Sequence, residues 1–207
     1  MKLRINSWRT TLKIECANWP EKFPYKPEVK VDVAHDADSL FLEFEVREEW
    51  SRALADEMGS VWEDSCVEMF CCPCPEDGIY YNIECNCIGS LRMKAGVGKQ
   101  GRTAAGEEVL SGIKRFSTIE RHHFEKEHFD VWRIALVIPK EAFFLHDLPT
   151  LQGLEIKANF YKCGDNLPTP HYLSFAPIDT PAPDFTFLNS SPISFSSNAF
   201  FRNHTGL

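Results

Sequence analysis

The sequence contains no apolar run long enough to span a membrane, and it has no excess of positive charge. Its first residues lack the long apolar core of a secretory signal peptide. The chain as written is therefore expected to be cytoplasmic, or periplasmic or extracellular if a leader has been removed. Lysine and arginine number 22 against 30 aspartates and glutamates, for a formal charge of −8. Because phosphate binding depends on clustered cations, we expect neither a nucleic-acid nor a membrane partner.

Sustained helical periodicity is also scarce. About ten short alternating runs, separated by turn residues, predict an all-β fold: an antiparallel β-sandwich of the jelly-roll or immunoglobulin-like type. Residues 1–27 are rich in proline and predict an extended segment packed on one domain that comprises residues 28–207. Residues 48–58 are compatible with a short helix or a loop. Whether residues 186–207 supply a closing strand is left open.

The eight cysteines do not form a recognisable metal motif. Cys71, Cys72 and Cys74 are adjacent, but zinc sites normally use spaced pairs of ligands, so zinc is the minor alternative here. Most of the cysteines are expected to be small buried hydrophobic residues in a reduced compartment, although disulfides within the hairpin remain open. The histidines at 122, 123 and 128 lie beside two glutamates and predict an exposed hairpin loop, with metal binding as the alternative.

A predicted β-hairpin in the middle of the chain holds the strongest functional pattern. Two alternating runs flank a turn that is rich in proline, aspartate and glycine. On the second strand, Asn82, Glu84 and Asn86 share one face, because side chains on a strand alternate with period two. If Glu68 on the first strand lies on the same side, two carboxylates and two carboxamides gather on one surface.

Such a cluster beside the indole of Trp62 is typical of a sugar-binding site. Sugar hydroxyls need fixed donors and acceptors, and the C–H face of the ring needs an aromatic platform. Arg92 follows the polar strand closely and is a further candidate donor. The alternatives are a solvated sheet face, a tryptophan in the core and a surface ion pair, and alternation alone does not choose between them.

Several stretches carry a resemblance to a known family: Trp62-Glu63-Asp64-Ser65-Cys66-Val67-Glu68, Tyr81-Asn82-Ile83-Glu84-Cys85-Asn86, Gly89, and segments 132–139 and 171–181. Together they resemble carbohydrate-binding module family 9, which is related in fold to DOMON domains. The resemblance implies a second aromatic platform at Phe175, where the family usually has tryptophan, and it strengthens the assignment of Arg92. It implies no required cofactor, but it adds weight to structural calcium, for which the acidic turn 35–39 is a candidate site.

The leading hypothesis is a non-catalytic carbohydrate-binding module. Its predicted ligand contacts are Trp62, Glu68, Asn82, Glu84, Asn86, Arg92 and Phe175. The resemblance implies ends of plant polysaccharides such as xylan or cellulose as ligands, and a glycoside hydrolase acting on the same polysaccharide as a partner. One alternative is a glycoside hydrolase that uses Glu68 and Glu84 as its carboxylate pair. The other is a haem-binding module of the DOMON type.

Overall fold

A computed structural model of the chain describes residues 3–5, 9–185 and 191–195, with side chains for residues 9–185. In this part of the chain, two β-sheets form an all-β sandwich, so the predicted fold class is confirmed. The strands pair antiparallel except for β1 (Leu3–Ile5) and β14 (Ser191–Phe195), which are parallel to each other. None of the helices in the described residues has the length and apolarity that a membrane crossing requires.

The larger sheet has nine strands among the described residues. Its main path runs β1, β14, β12 (Glu155–Cys163), β6 (Cys66–Cys72), β7 (Tyr80–Asn86), β8 (Leu91–Gly96) and β9 (Thr103–Ala104). β13 (Tyr172–Ser174) pairs with β12, and β3 (Cys16–Ala17) pairs with β13. The pairing of β14 with β12 shows that residues 191–195 supply a strand, which was left open above.

The smaller sheet has five strands among the described residues. Their order is β10 (Lys114–Phe124), β11 (Glu127–Pro139), β5 (Ser39–Glu48), β4 (Glu28–His35) and β2 (Thr10–Lys13). Within the described ranges, one short helix, α1 (Glu107–Gly112), and two 3₁₀ turns, Val61–Glu63 and Lys140–Ala142, join the strands. The N-terminal segment thus contributes strands to both sheets, and its prolines at 20, 24 and 27 all follow those strands.

The core lies between the sheets and follows directly from strand alternation. On β7, Tyr81, Ile83 and Cys85 are buried against the five-stranded sheet, whereas Asn82 and Glu84 lie on the opposite face. All eight cysteines are free thiols, and five of those in the hairpin region are fully buried. The prediction that most of them act as small hydrophobic residues therefore agrees with the structure.

The structure shows the conformation of three segments that the sequence left open. Residues 50–56 form a loop rather than a helix. His122 and His123 lie on β10 and His128 lies on β11, where the rings of His123 and His128 stack with centroids 3.7 Å apart. In the acidic turn, Asp36 accepts the backbone N–H groups of residues 38 and 39, as a turn-forming aspartate does. A calcium requirement remains a prediction.

A buried charged cluster joins the two sheets. The Nζ atom of Lys162 on β12 lies 2.9 Å from Oε2 of Glu48 on β5 and 2.8 Å from Nε2 of His171. The indole N–H of Trp132 on β11 donates to Oε1 of Glu48 over 2.7 Å. Burial disfavours the charged form of Glu48, but the Lys162 ammonium and His171 outweigh it and hold its pKa at about 2.

We expect Glu48→Gln to lower the free energy of unfolding by about 3–5 kcal/mol, because it leaves the Lys162 ammonium buried without its counter-ion. Urea unfolding at neutral pH measures this loss. The matched control is Glu45→Gln, which removes a half-exposed carboxylate from its ion pairs with Lys30 and Arg133. That control should cost less than about 1 kcal/mol.

The same contribution should depend on pH. A carboxyl with a depressed pKa stabilises the fold fully above the ordinary glutamate value of 4.5, and the stabilisation is lost as pH falls from there toward about 2. The difference between wild type and Glu48→Gln should shrink over that range. A difference that stayed constant from neutral pH down to the acid limit would contradict the ion-pair assignment.

Candidate functional site

A row of polar side chains crosses the outer face of the nine-stranded sheet. The strand register places Tyr161, Glu68, Glu84 and Arg92 directly opposite one another across β12, β6, β7 and β8. Residues that face each other in this way project from the same side of a sheet. The expectation that Glu68 and Glu84 share a face is therefore confirmed. Asn82, two residues from Glu84, extends the polar surface into the next row.

A cavity of about 310 Å³ opens above this row. Its volume lies at the lower end of the range of about 300–1,000 Å³ for small-ligand sites. Five of the seven predicted contacts line it: Trp62, Glu68, Asn82, Glu84 and Arg92. The residues that also line it are Phe70, Tyr80, Lys99, Arg102, Cys163, Asp165, Tyr172, Pro183, Asp184 and Phe185. The structure thus brings most of the predicted site together.

Phe175 does not line this cavity, which corrects its assignment as the second aromatic platform. Its ring packs against the core and lies 6.3 Å from the ring of Phe160 in an edge-to-face arrangement. Strand alternation explains the difference, because Leu173 and Phe175 point into the sandwich while Tyr172 points out of it. The sheet brings Tyr172, rather than Phe175, to the cavity.

Asn86 is also outside the cavity, although it shares a face with Asn82 and Glu84. Its side-chain N–H donates to Oδ2 of Asp64 over 3.0 Å, and its Oδ1 accepts the backbone N–H of Ser90 over 2.9 Å. The side chain is fully buried. Asn86 therefore supports the end of the hairpin, and its predicted contact with a ligand is not what this geometry favours.

Asp64 holds the wall of the cavity in place. In the described part of the chain, its buried carboxylate accepts hydrogen bonds from the Arg52 guanidinium, the Asn86 amide and the backbone N–H groups of residues 54 and 55, all between 2.9 and 3.0 Å. Multiple donors offset the cost of burying a carboxylate. The loop at 50–60 is thereby tied to the hairpin, which places Trp62 in the cavity wall.

Arg92 is held in a fixed position beside Trp62. Its guanidinium carbon lies 4.6 Å from the centre of the indole, a cation–π distance. The same guanidinium donates to the backbone carbonyls of Met58 and Gly59, each over 3.1 Å, and lies 3.9 Å from Oε2 of Glu84. Arg92 and Trp62 therefore form one preorganised wall.

Aromatic side chains form the opposite side of the cavity. The ring of Phe185 stacks on Tyr161 with centroids 4.4 Å apart and an angle of 20°. Tyr172 contacts Phe185 edge-to-face, and Trp19 and Phe23 from the N-terminal segment pack behind Tyr172. These contacts cover the outer face of the sheet around the polar row, so the cavity is partly sheltered from water.

The two glutamates at the floor are buried close to each other. Glu68 is 3% exposed and Glu84 is 7% exposed. Burial and the neighbouring Glu84 raise the pKa of Glu68 well above its usual range, and burial also raises the pKa of Glu84, which Asn82 and Arg92 only partly offset. Among the described residues, one oxygen of each carboxylate, Oε2, has no hydrogen-bond partner.

The remaining polar atoms show what the floor can accept. Oε1 of Glu68 accepts the thiol of Cys163 over 3.1 Å, and Oε1 of Glu84 accepts the side-chain N–H of Asn82 over 3.0 Å. Arg102 donates to Oδ1 of Asn82, and its Nε atom is buried without a partner among the described residues. Two carboxylate oxygens and one guanidinium nitrogen at the floor are therefore buried without a hydrogen-bond partner among the described residues.

Two sets of residues within the described ranges have the composition and spacing to hold a metal ion. Cys66, Glu68 and Cys163 form one set beneath the cavity, and Cys74, Asp77 and His146 form the other at the hairpin turn. In the first set, Glu68 already accepts the Cys163 thiol and takes part in the polar row. That set therefore belongs to the floor of the cavity.

Sequence reasoning missed Tyr172, Phe185, Tyr80, Arg102 and Asp165. The alternation of segment 171–175 contains the signal for Tyr172, because it assigns Tyr172 to the face opposite Phe175. The alternation of β7 likewise assigns Tyr80 to the face of Asn82 and Glu84. Phe185, Arg102 and Asp165 come from loops that meet the sheet only in the folded chain.

Comparison with known proteins identifies the family. The model of carbohydrate-binding family 9 matches residues 4–193. A candidate carbohydrate-binding protein from Bacteroides uniformis ATCC 8492, solved at 2.70 Å resolution, is similar at 36% identity and a TM-score of 0.87, over 94% of this chain and 99% of that one. No curated protein matches.

Two solved structures of carbohydrate-binding module family 9 from Caldicellulosiruptor kristjanssonii share the fold. The module in complex with cellotriose has a TM-score of 0.58 at 10% identity, over 97% of this chain and 96% of that one. The module in complex with glucose has a TM-score of 0.58 at 11% identity, over 98% of this chain and all of that one. The family match spans nearly the whole sandwich and the cavity on its outer face, and the chain therefore belongs to carbohydrate-binding family 9.

Proposed function

We propose that this protein binds a carbohydrate without hydrolysing it, in the cavity above the Glu68–Glu84 row. The observation that carries the proposal is the set of unpartnered polar atoms at the floor: Oε2 of Glu68, Oε2 of Glu84 and Nε of Arg102. A buried polar atom without a partner is costly, and a ligand that pairs with it recovers that cost. A sugar hydroxyl both donates and accepts, so adjacent hydroxyls match this mixture.

The aromatic wall supplies the second requirement of a sugar site. Trp62 lines one side of the cavity, and Tyr172 and Phe185 line another. Aromatic rings provide apolar contact for the C–H face of a sugar ring. With a few hydrogen bonds of about 0.5–3 kcal/mol each, such contacts lead to dissociation constants of about micromolar to millimolar.

The ligand class that we propose is a neutral sugar at the end of a polysaccharide such as cellulose or xylan. The glucose and cellotriose complexes of the Caldicellulosiruptor modules support glucose-based chains. A cavity of about 310 Å³ accommodates few sugar rings, which favours the end of a chain over its middle. A glycoside hydrolase that acts on the same polysaccharide is the partner we propose for this activity.

Hydrolysis by Glu68 and Glu84 is the competing function. A retaining pair needs one carboxylic acid and one ionised nucleophile, whose environments push their pKa values apart. Here burial raises the pKa of both groups, and neither pKa is lowered as an ionised nucleophile would require. We therefore propose that both carboxylates are acceptors for sugar hydroxyls. Turnover of chromogenic glycosides that disappears in Glu84→Gln would contradict this.

We expect Trp62→Ala to weaken binding of cello-oligosaccharides by about ten- to a hundredfold, because it removes an aromatic platform and loosens Arg92, which lies over the indole. Isothermal titration calorimetry measures this change. Trp50→Ala is the matched control, since Trp50 is 47% exposed and packs on His128 away from the cavity. Equal loss in both variants would indicate a general effect on the fold and would contradict the site.

We expect Glu84→Gln to weaken sugar binding by about tenfold, because a charge-assisted acceptor becomes a neutral one. In the wild type, binding should strengthen as pH rises and both carboxyls ionise. The free energy of unfolding should instead fall as pH rises. A carboxyl whose pKa is raised in the folded state stabilises the fold at low pH, and this contribution is lost as pH rises through the folded-state pKa.

Calorimetry and thermal unfolding over about pH 4 to pH 8 test both trends together. Glu84→Gln should flatten the decline in stability, whereas Glu76→Gln, at an exposed position in the hairpin turn, should leave both profiles unchanged. Unchanged affinity in Glu84→Gln, combined with a wild-type stability that rises with pH, would rule out this role for the carboxylate pair.

A further inference from the structure

A second cluster of chemically active side chains lies at the turn between β6 and β7. Cys74 and Asp77 come from the turn itself, and His146 comes from the segment that follows the second 3₁₀ turn. One ligand atom from each residue lies within 4.8 Å of the other two. None of the three lines the sugar cavity, so the proposed function does not account for this cluster.

We propose that Cys74, Asp77 and His146 bind a zinc ion. Thiolate, imidazole and carboxylate are the three ligand types that zinc takes in proteins, at about 2.0–2.3 Å from the ion. Ligand atoms of a tetrahedral site at those distances lie about 3.3–3.8 Å apart, so the ligand atoms must shift by up to about 1 Å. Oδ2 of Asp77 and Nε2 of His146, now 2.8 Å apart, would move apart. A water molecule completes the coordination.

The orientation of His146 supports this assignment. Its Nδ1 atom lies 2.7 Å from the hydroxyl of Tyr81, which also accepts the backbone N–H of Leu145 over 2.9 Å. The Tyr81 ring is fully buried and contacts Phe143 and Phe144 edge-to-face. Zinc-binding histidines usually engage a fixed partner through the nitrogen that does not bind the metal. Tyr81 is such a partner, and it leaves Nε2 for the ion.

The two carboxylate oxygens of Asp77 have different partners, which leaves one of them able to bind a metal ion. Oδ1 accepts the backbone N–H of Ile79 over 2.8 Å and shapes the turn, while Oδ2 lies 2.8 Å from Nε2 of His146. A zinc ion would replace that direct contact and bind both atoms. The Asp77 side chain is 37% exposed and the His146 side chain 8%, so the ion reaches the cluster from solvent.

The charges and protons balance for a divalent ion. Binding releases the proton of the Cys74 thiol to solvent, while Asp77 is already ionised and His146 binds as neutral imidazole. The two negative ligands then neutralise the ion. The bound metal would add a further connection between the β6–β7 turn and the segment around residue 146, which His146 already joins through its contacts with Asp77 and Tyr81.

The test uses the full chain, freed of metal by a chelator and kept reduced, and titrated with zinc in a calorimeter. We expect one zinc per chain with a dissociation constant of about micromolar or tighter. Cobalt replaces zinc in a parallel titration and should produce the charge-transfer absorption of a thiolate ligand. Absence of that absorption, or binding that is not saturable at one equivalent, would overturn the proposal.

Variants separate this site from other thiols and imidazoles. Cys74→Ser and His146→Ala should each lower zinc affinity at least a hundredfold, and Tyr81→Phe should lower it about tenfold. The controls are Cys16→Ser, which removes a half-buried thiol elsewhere, and His122→Ala in the β10–β11 hairpin. Asp77→Asn keeps the turn hydrogen bond and should still weaken binding. Equal losses in the controls would contradict the assignment, whatever the outcome of the sugar titrations.

Discussion

The site depends on one buried carboxylate, that of Asp64. Its oxygens gather donors from the Arg52 guanidinium, the Asn86 amide and the backbone at residues 54 and 55. These bonds fix a long loop that has no regular structure of its own. The same loop then supplies the carbonyls that hold Arg92 against Trp62. The cavity wall is therefore rigid before a ligand arrives, which lowers the entropic cost of binding.

The two faces of the nine-stranded sheet perform opposite tasks. The inner face packs apolar side chains against the five-stranded sheet, and the Glu48–Lys162 pair joins the layers at its edge. The outer face buries Glu68 and Glu84 side by side, where burial raises the pKa of both and the neighbouring Glu84 raises that of Glu68 further. Burying these two carboxylates costs free energy, which the apolar core offsets. Such a cost is common where binding requires preorganised polar groups.

Within a single strand, alternation correctly predicted which side chains share a face. It grouped Asn82 with Glu84 and placed both opposite the apolar face of β7, as the structure shows. It did not reveal that Asn86, on the same face, is covered by Asp64, because that contact joins residues 22 positions apart. Phe175 was assigned from family resemblance alone, and the local alternation that points Tyr172 outward shows why the position does not carry the platform.

The sequence by itself determined the β-sandwich class and the polar face of the second hairpin strand, whereas the strand register decided that Glu68 lies opposite Glu84. The class and the polar face follow from period-two alternation and turn residues, which act between close neighbours along the chain. Only the tertiary structure decided which aromatic rings surround the cavity, which oxygens remain unpartnered and which ligands meet at Cys74. Those properties arise from contacts between distant loops and strands, and no local pattern encodes the distance between atoms that the fold brings together.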